Sequence, residues 1–281
     1  MRSARDGRTT GARPRTGSGP TGSQVTLARM REFGIRPDRD LGQNFLVDDN
    51  VLGVAGRLLP LDPSDVVLEV GAGLGVLTAW LAQRVALVHA VEVDRRLEPA
   101  LTATLAGAAN VNVVWADAVR LDLAELDPPP GVLFANLPYN VATPVIIRAL
   151  PTIERYCVMV QREIADRLFA SPGTKAYGAV SVLVQLACER LGSRKVSRKV
   201  FAPEPNVDSA LVAFRRRPGV ELGDEWEWTS HVVHAAFAHR RKTLANALAL
   251  AELPPPPAEI AGLRAEQLQP ERLALLAREL R

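Results

Sequence analysis

The chain has 281 residues, 47% of them hydrophobic and 23% charged, with a net charge of +3. That usage is globular rather than disordered, and the length suffices for one large or two ordinary domains without staples. Two cysteines, Cys157 and Cys188, exclude a disulfide scaffold and point to a reducing compartment, hence a cytoplasmic protein.

Residues 1–23 are rich in Gly, Arg, Thr, Ser and Pro, with almost no large apolar side chain. This composition predicts a disordered basic arm. Five arginines (Arg2, Arg5, Arg8, Arg13, Arg15) against Asp6 give residues 1–20 a local +4, so the remainder carries −1. No apolar segment follows the basic start, which excludes a signal peptide. A transit peptide would need apolar residues at helical spacing, and the arm lacks them.

From about residue 48 the chain alternates between helix and strand patterns. A helix is expected over Val51–Leu59, after the acidic pair Asp48-Asp49. A strand follows at Val66–Val70, then a helix at Gly75–Arg84 and a strand at Val88–Val93. Arg95–Leu105 reads as helix and Val111–Ala116 as strand. Next come the strand Val132–Asn136, the helix Pro144–Leu150, the strand Tyr156–Gln161 and the helix Val180–Leu191. Pro128–Ile147 is uncharged and about as long as the ~20 residues of a bilayer span. Its five prolines and two asparagines rule out a lipid-facing helix. Short apolar strands alternating with helices predict a doubly wound, mostly parallel sheet covered on both faces, with its site at the carboxyl ends of the strands. After Pro218 the pattern becomes all-helical: Trp226–Ala238, Thr243–Ala251, Ala258–Leu263 and Glu271–Leu280, separated by Pro254–Pro257 and Pro270. The expected division is an arm at 1–23, an α/β domain at 24–217 and a helical domain at 218–281.

The first strand runs into Glu69-Val70-Gly71-Ala72-Gly73-Leu74-Gly75. Glycines let a backbone turn tightly against a ligand before a helix starts. The dinucleotide pattern G-x-G-x-x-G would require Gly at 76, where Val76 stands, and no P-loop Lys-Ser/Thr follows. Glu92 ends the second strand about 20 residues on, placed to hold ribose hydroxyls. Asp117 ends the third and can accept from an adenine amino group. The fourth ends in Asn136-Leu137-Pro138-Tyr139. An exocyclic amine is a poor nucleophile because its lone pair is delocalised into the ring. The Asn136 side-chain carbonyl and the Leu137 backbone carbonyl can accept its hydrogens and free the lone pair. Pro138 stiffens the turn, and Tyr139 offers a face to a flipped base. The prolines of Phe201–Ser209 enforce an extended loop whose leading aromatic, Phe201, can cover the other face of that base or pack on the core.

Basic residues cluster at Arg194, Lys195, Arg198 and Lys199, at Arg215–Arg217, and at His239–Lys242. Patches on a nearly neutral body suit a polyanion docked on one face, or simply solvated surface. His231 and His234 stand alone, with no acid or Cys nearby, so no metal site is expected. Cys157 falls in an apolar strand and Cys188 on an apolar helix, so both read as inert core thiols.

These motifs, in this order, resemble the S-adenosylmethionine-dependent rRNA adenine dimethyltransferases, and within them the KsgA type that acts on small-subunit rRNA. The likeness covers roughly residues 39–250. It includes Leu41–Leu46 (LGQNFL), Lys175–Gly178 and Arg240–Leu244 as well as the motifs above. It implies a Rossmann-like class I methyltransferase sheet of seven strands, the last antiparallel, with a small C-terminal helical domain. It implies cofactor contacts at Gln43, Asn44, Leu46, Gly71, Gly73, Glu92, Asp117, Ala118 and Asn136. Catalytic positions are Asn136, Leu137, Pro138, Tyr139 and Phe201. RNA contacts fall at Arg194, Lys195, Arg198, Lys199, Arg240, Arg241 and Lys242. The implied reaction is direct transfer of methyl groups from S-adenosylmethionine to N6 of two adjacent adenosines in the 3′ hairpin of 16S rRNA. It needs no metal and no general base before transfer. The implied partner is 16S rRNA or an immature 30S subunit, with no membrane and a monomeric protein. A 23S rRNA methylase conferring macrolide resistance and a non-catalytic RNA-binding assembly factor are the competing readings. The arm lies outside the family pattern, and its arginines suit non-specific RNA tethering.

Overall fold

A computed structural model describes residues 22–281. The expected basic arm therefore lies outside the described residues, except for its last two, which open a helix, α1 (Gly22–Glu32).

After α1 come β1 (Phe45–Leu46), α2 (Asn50–Leu58), β2 (Val66–Val70), α3 (Val76–Ala82) and β3 (Leu87–Glu92). They are followed by α4 (Glu98–Thr104), β4 (Val111–Trp115), β5 (Val132–Asn136), α5 (Ala142–Ala149) and β6 (Arg155–Gln161). Next are α6 (Arg162–Leu168), α7 (Ala179–Ala187), β7 (Cys188–Val196), β8 (Phe201–Ala202) and β9 (Ser209–Arg216). The chain ends in α8 (Asp224–Ala238), α9 (Leu244–Leu250), α10 (Ala258–Ala261) and α11 (Pro270–Glu279).

Seven strands form one sheet in the order β4-β3-β2-β5-β6-β9-β7. β4, β3, β2, β5 and β6 pair in parallel, and β9 runs antiparallel to both β6 and β7. This is the expected doubly wound sheet with its last strand antiparallel. The strand order reverses between β2 and β5, where such sheets place their ligands. Side chains alternate between faces along each strand. Val67, Phe134 and Cys157 join one apolar layer with α2 and α3. Leu68, Leu133 and Val158 join the other with α5, α7 and the C-terminal helices. Strands buried on both faces explain the near-continuous apolar runs of β2, interrupted only by Glu69, and β5.

One expected helix is corrected. Val180–Leu191 does not stay helical: α7 ends at Ala187, and Cys188 (φ −131°, ψ 159°) opens β7. Glu189 and Arg190 pair with Arg215 and Phe214 of β9, with a bulge before Gly192. The apolar run of α7 passes into the strand without Gly or Pro to mark the break. Cys188 thus sits on a strand, still buried.

The C-terminal helices share their core with the sheet. Val232 and Val233 of α8 and Leu273 and Leu276 of α11 pack in one cluster with Leu183 and Val184 of α7. The buried Tyr177 hydroxyl donates to the Leu268 carbonyl (2.9 Å), and the Trp228 indole to the Ala277 carbonyl (2.6 Å). No helix among the described residues is long and apolar enough to cross a membrane.

Candidate active site

A cleft of about 310 Å³ opens at the carboxyl ends of β2, β3 and β5, where the strand order reverses. Its inner wall is the glycine turn. Gly71, Gly73 and Gly75 all have positive φ (81°, 57° and 80°), which L side chains adopt only under strain. A Cβ on Gly71 would lie 3.2 Å from Pro138 Cδ, so the turn and the Asn136–Tyr139 segment meet at a spot that only glycine fits. The Gly71 and Ala72 N–H groups donate to the Val91 carbonyl, tying the turn to β3 (2.9 and 3.2 Å).

Glu92 is buried and its carboxylate is held from both ends. The Gly73 N–H donates to Oε2 (2.8 Å), and the N–H groups of Val93 and Asp94 donate to Oε1 (2.8 and 2.9 Å). Both lone pairs of Oε1 are taken, while Oε2 keeps one free, so the group is pre-set to accept from a ligand's hydroxyl through Oε2. Glu69, on β2, is 1% exposed and lines the same cleft, and its Oε2 has no hydrogen-bond partner. Burial pushes its carboxyl up to about 8; the Thr78 hydroxyl pulls it down and neighbouring Glu92 pushes it up further. An orphaned buried carboxyl facing a cleft is the receptor a ligand ammonium group requires. The lone acid in the otherwise apolar run Val66–Val70 is its signal in the sequence.

The segment before β1 forms the outer wall. Asn44 lines the cleft, with its side-chain amide on the Gly42 carbonyl (2.9 Å). Gln43 also lines it, but both ends of its side chain are engaged. Its Oε1 accepts from the Asp38 N–H (2.8 Å) and its Nε2 donates to Asp94 (2.7 Å). Arg96 binds both oxygens of Asp94 (2.7 and 2.8 Å) and reaches Asp38 (2.7 Å). Its guanidinium is the main reason that both carboxyls sit below the usual carboxylate range. Gln43 therefore holds the segment in place against β3. The sequence reading missed this Asp38–Arg96–Asp94 brace, which joins distant positions. Leu46 lies buried in β1, paired with Phe201 of β8.

At the end of β5, the Asn136 amide Nδ2 donates to the Asn44 carbonyl (3.4 Å), which leaves its Oδ1 as the free acceptor. The Leu137 N–H is fixed on the Met159 carbonyl (3.0 Å). Asn136, Leu137, Pro138 and Tyr139 all line the cleft, as do Asp117 and Ala118 on the β4 side. Asp117 is half-exposed; it accepts from the Val119 N–H (2.9 Å) and pairs loosely with Arg120 (3.6 Å). Phe201 does not reach the cleft. It is 4% exposed and packed in the apolar layer with Leu46 and Phe134, because pairing with Leu46 turns it inward.

The basic residues divide by use. Arg194 and Lys195 lie exposed near the end of β7, opposite Leu211 and Ala210 of β9. β7 runs parallel to β6, so they stand at the same end of the sheet as the cleft. Lys199 is exposed nearby, while Arg198 pairs with Glu204 (2.8 Å). Arg240 braces the structure: it donates to the carbonyls of Lys175 (3.2 Å) and Tyr177 (3.1 Å) and to Glu266 (3.2 Å). Arg241 and Lys242 beside it are exposed. Arg216 and Arg217 donate to carbonyls at the ends of α5 and α7. No cluster of three metal-ligating side chains occurs among the described residues. Burial pushes both Cys157 and Cys188 up to about 12, as expected of core thiols.

The sheet order and the glycine-walled cleft define a Rossmann-like methyltransferase. The chain resembles the crystal structure of a dimethyladenosine transferase from Plasmodium falciparum at TM-score 0.68, with 24% identity over 84% of this chain and 96% of that one. It resembles that of the 23S rRNA methyltransferase ErmE at TM-score 0.61, with 28% identity over 84% of this chain and 99% of that one. Relatives named ribosomal RNA small subunit methyltransferase A occur in Rubrobacter xylanophilus (43% identity, 87% of this chain, 95% of the relative) and Thermobifida fusca (48%, 77% and 78%). The sequence model of the ribosomal RNA adenine dimethylase family matches residues 36–254, and the chain belongs to that family.

Proposed function

We propose that the protein uses S-adenosylmethionine to convert two adjacent adenosines in the 3′-terminal hairpin of 16S rRNA into N6,N6-dimethyladenosine, during small-subunit maturation. The observation that carries this reading is the meeting of Asn136–Tyr139 with the Gly71–Gly75 turn in one cleft. The small-subunit names of relatives at 43% and 48% identity support the choice of rRNA.

The residues fit the cofactor by their chemistry: glycines that admit close backbone approach, Glu92 for ribose hydroxyls, Asp117 for an adenine amino group, and orphaned Glu69 as counter-charge to an ammonium. When bound, S-adenosylmethionine supplies an electrophilic methyl group on a sulfonium. Asn136 Oδ1 and the Leu137 carbonyl take the hydrogens of the target amine and localise its lone pair. Pro138 holds their spacing, and Tyr139 stacks on the base. Positioning then supplies much of the rate. The exposed cations Arg194, Lys195, Lys199, Arg241 and Lys242 receive RNA phosphates. The protein works as a cytoplasmic monomer on an immature 30S particle.

The test is transfer of labelled methyl groups to unmethylated 30S subunits and, in parallel, to protein-free 23S rRNA, with the products mapped. Dimethyladenosine in the 16S hairpin is expected. Label only in 23S rRNA would assign the chain to the resistance methylases. Label in neither, with RNA binding intact, would make it a non-catalytic factor.

A further inference from the structure

We infer that Ser209 is a positioning residue for the methyl-accepting base, acting through Tyr139, a role that rests on the adenosine reading above. Tyr139 follows β5 on a turn fixed by two backbone bonds, Leu137 N–H to the Met159 carbonyl (3.0 Å) and Val141 N–H to the Pro138 carbonyl (3.1 Å). These set the backbone but not the ring. The ring is set at its far end, where the Tyr139 hydroxyl lies 2.7 Å from Ser209 Oγ. Neither hydroxyl has another side-chain hydrogen bond among the described residues.

Ser209 is an unusually firm reference point. It is 0% exposed, and it pairs on both sides, with Gln161 of β6 and Val196 of β7. Its neighbour Asp208 is also tied down. The Asp208 carboxylate accepts from the Arg198 N–H (3.3 Å), and its carbonyl accepts from the Arg162 N–H (3.0 Å). The start of β9 therefore cannot shift without breaking several bonds. The aromatic face beside Asn136 inherits that rigidity through one hydroxyl pair. Burial raises the Tyr139 phenol above its usual value, so it stays protonated at neutral pH and available to the pair. A misplacement of about 1 Å at a reacting centre can cost ~100-fold in rate.

Ser209→Ala and Tyr139→Phe each delete one half of the pair and keep the ring. Each should lower kcat on unmethylated 30S subunits by about tenfold, the scale of one neutral hydrogen bond. Affinity for labelled S-adenosylmethionine, measured by equilibrium dialysis, should stay at the wild-type value. The double variant should be no slower than the slower single, since both remove the same interaction. A hairpin with 2-aminopurine at the target position should be quenched less by either variant than by wild type. Turnover within twofold of wild type in both singles, or a double-variant loss equal to the product of the two, would overturn the role. If buried Ser209→Ala fails to fold, the partly exposed Tyr139→Phe decides on kcat and quenching alone. Failure of the wild-type protein to methylate any rRNA would instead overturn the proposed function.

Discussion

The two halves of the sheet are built differently and carry different parts of the site. β4, β3, β2 and β5 are parallel, and the ends of β2, β3 and β5 hold the glycine turn, Glu92 and Asn136. β6, β9 and β7 include the antiparallel pairings, and they present Arg194 and Lys195 to solvent and Ser209 to Tyr139. One half shapes the cleft from backbone and buried carboxyls. The other offers an exposed cationic edge and a rigid brace. The contrast teaches that, on the proposed function, cofactor binding and RNA docking draw on different halves of the sheet and can be tested separately.

The sharpest way to break the comparison is Asn136→Ala. Turnover should fall by on the order of 100-fold or more, with filter binding to rRNA retained; retained turnover would mean that the chemistry lies elsewhere. Gly71→Ala comes next. A side chain at φ 81° carries a strain of about 1–3 kcal/mol, and the new methyl meets Pro138 at 3.2 Å. Affinity for S-adenosylmethionine should drop at least about fivefold in dialysis (the weakest expectation consistent with that strain), while RNA affinity holds. Replacing Arg194, Lys195 and Lys199 together with Gln should do the reverse. The salt slope of RNA binding should shrink by about 2, at ~0.7 per lost phosphate contact, with cofactor affinity unchanged. An unaltered slope would return these cations to plain surface.

A prediction of another kind, on stability and not on binding or turnover, concerns Glu69. Its carboxyl is raised from 4.5 to about 8 in the folded state, so the folded protein holds that proton more tightly than the unfolded chain. Its contribution to stability is full below pH 4.5 and is lost as pH rises towards about 8. Thermal melts of the ligand-free protein should therefore fall across that window, and Glu69→Gln should flatten the fall. An equally steep fall in the variant would place the titrating group elsewhere.

The parallel half is legible in the sequence almost residue by residue. Val66–Val70 and Val132–Asn136 are strands as expected, because strands buried on both faces appear as near-continuous apolar runs closed by Gly or Asn. In the other half only β6 is, at the expected Tyr156–Gln161; β7 and β9 are not. β7 reads Cys-Glu-Arg-Leu-Gly-Ser-Arg-Lys-Val, an edge strand whose exposed charges hide its period, and it follows an apolar helix with no break. Site residues divide in the same way. Those at strand ends, such as Glu92 and Asn136, declare themselves by position. Those defined by a distant partner do not: Arg96 with Asp38, Ser209 with Tyr139, and Phe201 turned inward by Leu46. Positive charge is sorted only by the fold for the same reason. Arg216, in a patch that reads equally as docking face or solvated surface, and Arg240 both donate to backbone carbonyls that only the folded chain brings near.

The two-residue ladder between β1 and β8 has a consequence for synthesis. Phe45 and Leu46 leave the ribosome early, but their partners Ala202 and Phe201 emerge only after the first six strands of the main sheet. Domains fold as units while the chain is being made, and pairings between distant segments come last. The wall bearing Gln43 and Asn44 can be braced against β3 early, but it lacks its second anchor, the β8 pairing, until more than two-thirds of the protein exists. A chain stopped before Phe201 contains the whole glycine turn but lacks the strand that pairs with Phe45 and Leu46 in the cleft's outer wall.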